Sequence, residues 1–189
     1  MGRIKKSGIA VLDLVFALAV LALIAVLAVP NVGRLMPGYK RRQFLSSVET
    51  VVNIGWQQAL VTRSIHKVLF DLQEGIIVLE RATDNLNQKG ELEFTRAQVS
   101  GVLTRCEIPP FIEIKQFFIE GFDEIARYQG NKNAARVWFF LVPEGMAQKV
   151  VINMFDNGSK DEKGNPRSIG LVLNPLTARF YVYDEFQKP

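Results

Sequence analysis

From Ile9 to Val29 this chain carries one charged side chain, Asp13, in an otherwise apolar run. At about 1.5 Å of rise per residue such a run forms a helix roughly 31 Å long, enough to cross the hydrocarbon core of a bilayer. A short basic leader precedes it, with Arg3, Lys5 and Lys6 before Gly8. A lone carboxylate at mid-membrane costs about 2.5–3.5 kcal/mol on insertion scales, so Asp13 is a functional candidate rather than a neutral passenger. A cleaved secretory signal is a poor fit, because its apolar core runs about 7–15 residues and carries no acid. Here Leu14 to Val29 alone is longer, and Pro30 would crowd a cut after Val29. A processed membrane segment and a plain uncleaved anchor both remain open on these grounds.

Gly8, Ile9, Asp13 and Pro30 together resemble the class III signal of type IV pilins and of the pseudopilins of type II secretion. In that family a prepilin peptidase cuts after a glycine, and the new N-terminal residue is methylated. An acid stands fifth in the mature chain and a proline twenty-second. The resemblance thus implies cleavage after Gly8, an N-methylated Ile9, an assembly role for Asp13 and a helix break at Pro30. The family usually has Glu where this chain has Asp13, and often Phe or Met where it has Ile9. The spacing has physical sense: residues four apart share one helix face, so a carboxylate at Asp13 can compensate a cationic amine at Ile9. The partner amine can belong to the same chain or to a neighbour shifted along a filament axis. An unpaired charge in apolar surroundings is expensive, so such pairing fixes axial register.

Lysine and arginine are nearly balanced across the run, with Lys40, Arg41 and Arg42 following it, so charge alone does not orient the chain. The resemblance does: that peptidase works on the cytoplasmic side, which puts the bulk of the chain outside the cytoplasm. The expected organisation is a leader at 1–8, a transmembrane and assembly segment at 9–30, the amphipathic second half of the helix at 31–66, and a β-rich head at 67–189. The formal charge of +4 includes three leader cations, leaving +1 for the mature chain, too little to draw in nucleic acid. Lys40, Arg41 and Arg42 lie beside the membrane segment, where lipid phosphates are their expected partners.

Chemistry-bearing residues are sparse. Cys106 is the only cysteine and His66 the only histidine, which excludes an intrachain disulfide and a cysteine zinc site. Cys106 is expected to be a buried small hydrophobe, and His66 a structural residue at a helix–strand junction rather than half of a Cys-His pair. Asp156, Asn157, Asp161 and Glu162 offer oxygens to calcium, but Lys160 and Lys163 interleave them, and a solvated loop is the better reading. No cofactor or metal is implied, and no enzyme activity.

Along the soluble part, Phe44, Val48, Val51, Val52, Gly55 and Ala59 recur at helical spacing, predicting a helix from Gly38 to about Ser64 that packs on a sheet. Pro30, Gly33 and Pro37 should weaken the helix before it. The pattern then turns to strands, with a hairpin at Lys67–Leu72 and Ile76–Glu80 about Gly75. Asp84–Glu91 reads as an exposed loop, Phe111–Ile119 as a strand, and Phe122–Gly130 as ambiguous with room for a short helix. Arg136–Val142 and Lys149–Phe155 are strands, Asp156–Pro166 a long hydrophilic loop, and Ser168–Leu173 with Arg179–Tyr183 a closing hairpin. The predicted class is α+β: a long N-terminal hydrophobic helix continuing into a head of antiparallel β-sheet, the pilin-like fold, with six or seven strands.

Three head motifs look like those of the H-type minor pseudopilin of type II secretion: Phe70–Gly75, Pro109-Pro110 opening a strand, and Asn174–Thr177 before the last strand. That family usually has glycine where this chain has Ala178. The related minor type IV pilins of the FimT/FimU sort share the layout, so pilus assembly or DNA uptake is the alternative function. The resemblance implies a structural subunit, anchored in the bacterial inner membrane with a periplasmic head. It implies partnership with the prepilin peptidase, with other major and minor pseudopilins in a hetero-oligomeric filament, and with the inner-membrane assembly platform. The sequence does not say which neighbour the head contacts; any exposed apolar patch around Phe117–Phe122 would be a candidate surface.

Overall fold

The computed structural model describes the backbone of residues 7–127 and 136–189, and the side chains of these except 7–12 and 24–37. In chain order the elements are α1 (Ser7–Thr62), β1 (His66–Asp71), β2 (Ile76–Leu86), β3 (Leu92–Arg96), β4 (Arg105–Glu107), β5 (Ile112–Ile119), β6 (Phe122–Asp123), α2 (Glu124–Arg127), β7 (Arg136–Val142), β8 (Met146–Ala147), β9 (Val150–Lys160), β10 (Pro166–Asn174) and β11 (Arg179–Tyr183). The chain divides into two compact units, residues 1–40 and 41–189.

The second unit holds two antiparallel sheets. One runs β3-β2-β1-β7-β8, with β4 also on β2; the other runs β11-β10-β9-β5-β6. The predicted α+β class stands, but the described residues form eleven strands rather than six or seven. The shortfall has a cause: β3 is largely exposed on both faces, and β4, β6 and β8 have three residues or fewer. Such segments lack the alternation that marks a strand in sequence.

Residues 41–62 of α1 supply the stripe that fills the core. Phe44, Val48, Val51, Val52 and Ala59 are all buried, among Phe70, Leu79, Phe139 and Leu141 of one sheet and Phe117, Ile152, Ile169 and Leu171 of the other. Phe70 meets Phe117 edge to face at 4.9 Å, joining β1 to β5. Gly55 is required by proximity, since a Cβ there would stand 2.6 Å from Leu79 and Leu141 methyls. Any larger residue there would have to displace these two buried leucine side chains.

Helix and strand boundaries depart from expectation in four places. α1 ends at Thr62, two residues short of the end read near Ser64, because Arg63 takes a left-handed conformation with φ of 49°. Glycine usually does this at a helix C-terminus, so the sequence carries no signal for it. His66 already opens β1. β2 reaches Leu86, so the loop read at Asp84–Glu91 shrinks to Asn87–Glu91, where Asn87 Oδ1 accepts from the Lys89 and Glu91 amides. Likewise β9 extends to Lys160 and leaves only Asp161–Asn165, knit by Asp161 Oδ1 accepting from the Lys163 and Asn165 amides. Finally, helical backbone continues through Pro30 and Pro37. The side chains of both prolines lie outside the described residues.

Ala178 is instructive. It is fully buried with φ of 51°, and its amide donates to the Asn174 carbonyl at 2.9 Å. The position demands the left-handed region, which explains why glycine suits it. Alanine pays about 1–2 kcal/mol of backbone strain there.

Candidate assembly and processing site

The N-terminal segment is helical because it is built from alanine and leucine, with no glycine between Gly8 and Gly33. Gly8, Ile9 and Asp13 fall within its first two turns. The leader before Ser7 lies outside the described residues, as do the side chains of Gly8's neighbour Ile9 and of Pro30. Asp13 is exposed, and every described residue from 13 to 23 is exposed with it, Phe16 at 70%. A helix that is apolar all round requires an apolar surrounding, either lipid or other helices. Among the described residues no helix is long and apolar enough to cross a membrane. Those residues include only 13–23 of the apolar run with side chains.

Elsewhere the structure places the remaining chemistry-bearing residues apart from one another. His66 is buried, with Nδ1 3.0 Å from the Ser64 carbonyl oxygen. Cys106 is half-buried on β4, opposite Ile77, whereas His66 is opposite Arg81. Four residues along β2 is about 13 Å, far beyond hydrogen-bond reach. Burial pushes the Cys106 thiol up to about 11, so it is not a nucleophile at neutral pH. Asp156 is fully buried, and its oxygens serve the Gly158 amide at 2.9 Å and Arg41 Nη1 at 3.5 Å. Among the described residues no cluster of His, Cys, Asp or Glu could hold a metal.

Two further expectations are corrected. Arg41 does not belong to a lipid-facing trio, because its side chain, only 16% exposed, is turned onto Asp156; Lys40 and Arg42 are exposed. The patch at Phe117–Phe122 dissolves, since Phe117 is wholly in the core and Phe118 and Ile119 are half-buried. Of its large apolar side chains, Phe122 is the one that stays exposed. The bulge in β5 between Ile114 and Gln116 turns Phe117 inward, and one-residue register shifts of this kind are invisible in sequence.

Two buried ionisable groups predict separate acid sensitivities. Burial holds the His66 imidazole below its ordinary 6.5, aided by Arg81 and opposed by the Ser64 carbonyl. The folded state therefore favours the neutral ring, and stability falls as pH drops below about 6.5, where the unfolded chain takes the proton first. For Asp71, burial pushes the carboxyl up, but the Glu74 and Gln73 amides and Arg136, at 2.8 Å, more than offset it and hold it below 3.8. Its contribution is intact above that value and is lost as pH falls further. Denaturant midpoints of the full chain should decline between pH 7 and 5, and the decline should vanish in His66→Gln. An unchanged decline in that variant would remove His66 from the account.

No protein-family model matches the sequence, and no curated protein matches it. Solved structures do. The minor pseudopilin EpsH from the Type 2 Secretion System of Vibrio cholerae superposes with a TM-score of 0.51 at 9% identity, over 78% of this chain and 98% of that one. A second structure of EpsH gives 0.49 at 9% identity, over 77% and 94% of the two chains. At this identity the likeness is one of fold, and it coincides with the resemblance carried by Gly8, Ile9, Asp13 and the head motifs. The chain has the fold of an H-type minor pseudopilin.

Proposed function

We propose that this chain is a minor pseudopilin, a structural subunit of a type II secretion filament that drives protein export. The observation that carries the reading is the coincidence of the EpsH-like fold with a lone acid five residues into an apolar run that follows Gly8. In this reading the prepilin peptidase cuts after Gly8, and Ile9 becomes the methylated N-terminus. Residues 9–30 hold the chain in the inner membrane, with the head in the periplasm. Asp13 then pairs with an N-terminal amine as subunits leave the bilayer. Pro30 lacks an N–H, which leaves one carbonyl without its helical partner and lets the segment flex. The partners are the other major and minor pseudopilins and the inner-membrane assembly platform. The chain works as a structural part, not an enzyme.

Deleting the chain in its host tests this directly. Exported proteins should accumulate in the periplasm, while surface pili and uptake of DNA continue unchanged. Normal export together with lost pili or lost transformation would transfer the chain to a type IV pilus or a competence filament.

A further inference from the structure

After β11 the chain bends at Asp184 and Glu185 and crosses the outer face of its own sheet, over β10 and β9. Two features of that face receive its backbone. Gly170, in mid-strand, has no positive φ to justify it, yet a Cβ there would stand 2.5 Å from the Glu185 carbonyl oxygen and 2.7 Å from Gln187 Cγ. Asn153, on the neighbouring strand and directly opposite Gly170, is 1% exposed. Its Oδ1 accepts from the Gln187 amide at 2.9 Å, while its Nδ2 donates to the Gln187 carbonyl at 2.9 Å and to Gln116 Oε1 at 2.8 Å.

A buried carboxamide that satisfies both the N–H and the C=O of one residue mimics a strand partner. It recognises extended main chain, not side-chain identity. Side-chain anchoring of residues 184–189 is slight by comparison: Phe186 against Phe155, at 5.0 Å between ring centres, and an exposed ion pair from Arg167 to Asp184. Exposed pairs contribute little. The built part of the contact thus lies in the groove, and the segment that fills it is held as a strap.

We propose that Gly170, Asn153 and Gln116 form a peptide-binding groove for extended main chain, occupied here in cis by residues 184–189 and able to take the same segment from a second copy. The second copy is the fitting occupant because its identical segment satisfies every contact just described, and exchanging an identical element between copies is a low-cost route to association. A covalently attached strap competes at high effective concentration, so exchange is favoured where copies are crowded side by side. This inference stands apart from the secretion reading and holds for any filament or none.

The test uses the full chain in detergent and a version ending at Tyr183. A fluorescein-labelled peptide of residues 183–189 should bind the shortened chain saturably. Binding should weaken at least tenfold when the shortened chain carries Asn153→Ala or Gly170→Val, and at least tenfold on the intact chain, whose own strap fills the groove. In a Cys106→Ser background, an intact chain with Lys188→Cys bearing a benzophenone should photo-cross-link to the shortened chain when the two are mixed. A folded shortened chain that ignores the peptide overturns the groove, as does binding indifferent to both substitutions. Cross-links formed only within one chain overturn the second-copy occupant. A shortened chain that fails to fold, judged by circular dichroism, shows residues 184–189 to be part of the fold and overturns the strap.

Discussion

Arg41→Ala is expected to destabilise the head by about 1–3 kcal/mol, the cost of leaving a buried acceptor without its donor. Asp156 sits on β9 with its side chain wholly inaccessible, and Arg41 supplies the cation from α1 across a separation of 115 residues. Among the described residues, the carboxylate's other hydrogen bond comes from the Gly158 amide at 2.9 Å. Because removal of one partner is what costs, removal of both should cost less. Arg41→Ala combined with Asp156→Asn should recover at least half of the loss, read as denaturant midpoints of the full chain. Equal losses in the single and the double variant would mean that the pair is incidental and that Arg41 acts through its aliphatic stem.

Asp13→Ala is expected to reduce export at least tenfold while leaving cleavage after Gly8 intact. The reasoning is electrostatic. A methylated amine at Ile9 stays cationic, and in apolar surroundings an uncompensated ion carries a penalty of several kcal/mol, roughly three powers of ten in an assembly equilibrium. Asp13 is the single acid between Ile9 and Val29 and so the only local group that can offset it. Asp13→Glu keeps the charge, extends the reach by one methylene and should preserve most export. Asp13→Asn keeps the shape and loses the charge, so it should behave like the alanine variant. If Asp13→Asn exports normally, the amine is not paired there and the register argument fails.

The parts of this molecule legible in sequence are those written in local patterns. The stripe from Phe44 to Ala59 and the closing hairpin about Asn174–Thr177 each carry their own period or turn residues, and both stand where they were expected. What escaped is non-local or doubly exposed. The ion pair of Arg41 with Asp156 joins residues that nothing in the sequence connects, and Arg41 reads there as one of three surface cations. β3 was hidden in a polar stretch because neither of its faces is covered well enough to impose alternation. The groove did leave a trace. An asparagine in the middle of Val150–Phe155 and a glycine in the middle of Ser168–Leu173 are poor strand residues, and such breaks often mark the close approach of another backbone. The processing residues stand on pattern and resemblance together. The side chain of Ile9 and the whole leader before Ser7 lie outside the described residues.

The most direct test of the central claim is intact-mass analysis of the chain from its native membrane, set beside a Gly8→Leu variant. The account predicts a mature chain that begins at N-methylated Ile9, and a variant that retains its leader and fails to support export. A chain still beginning at Met1 in both, or one cut near Pro30, would contradict it.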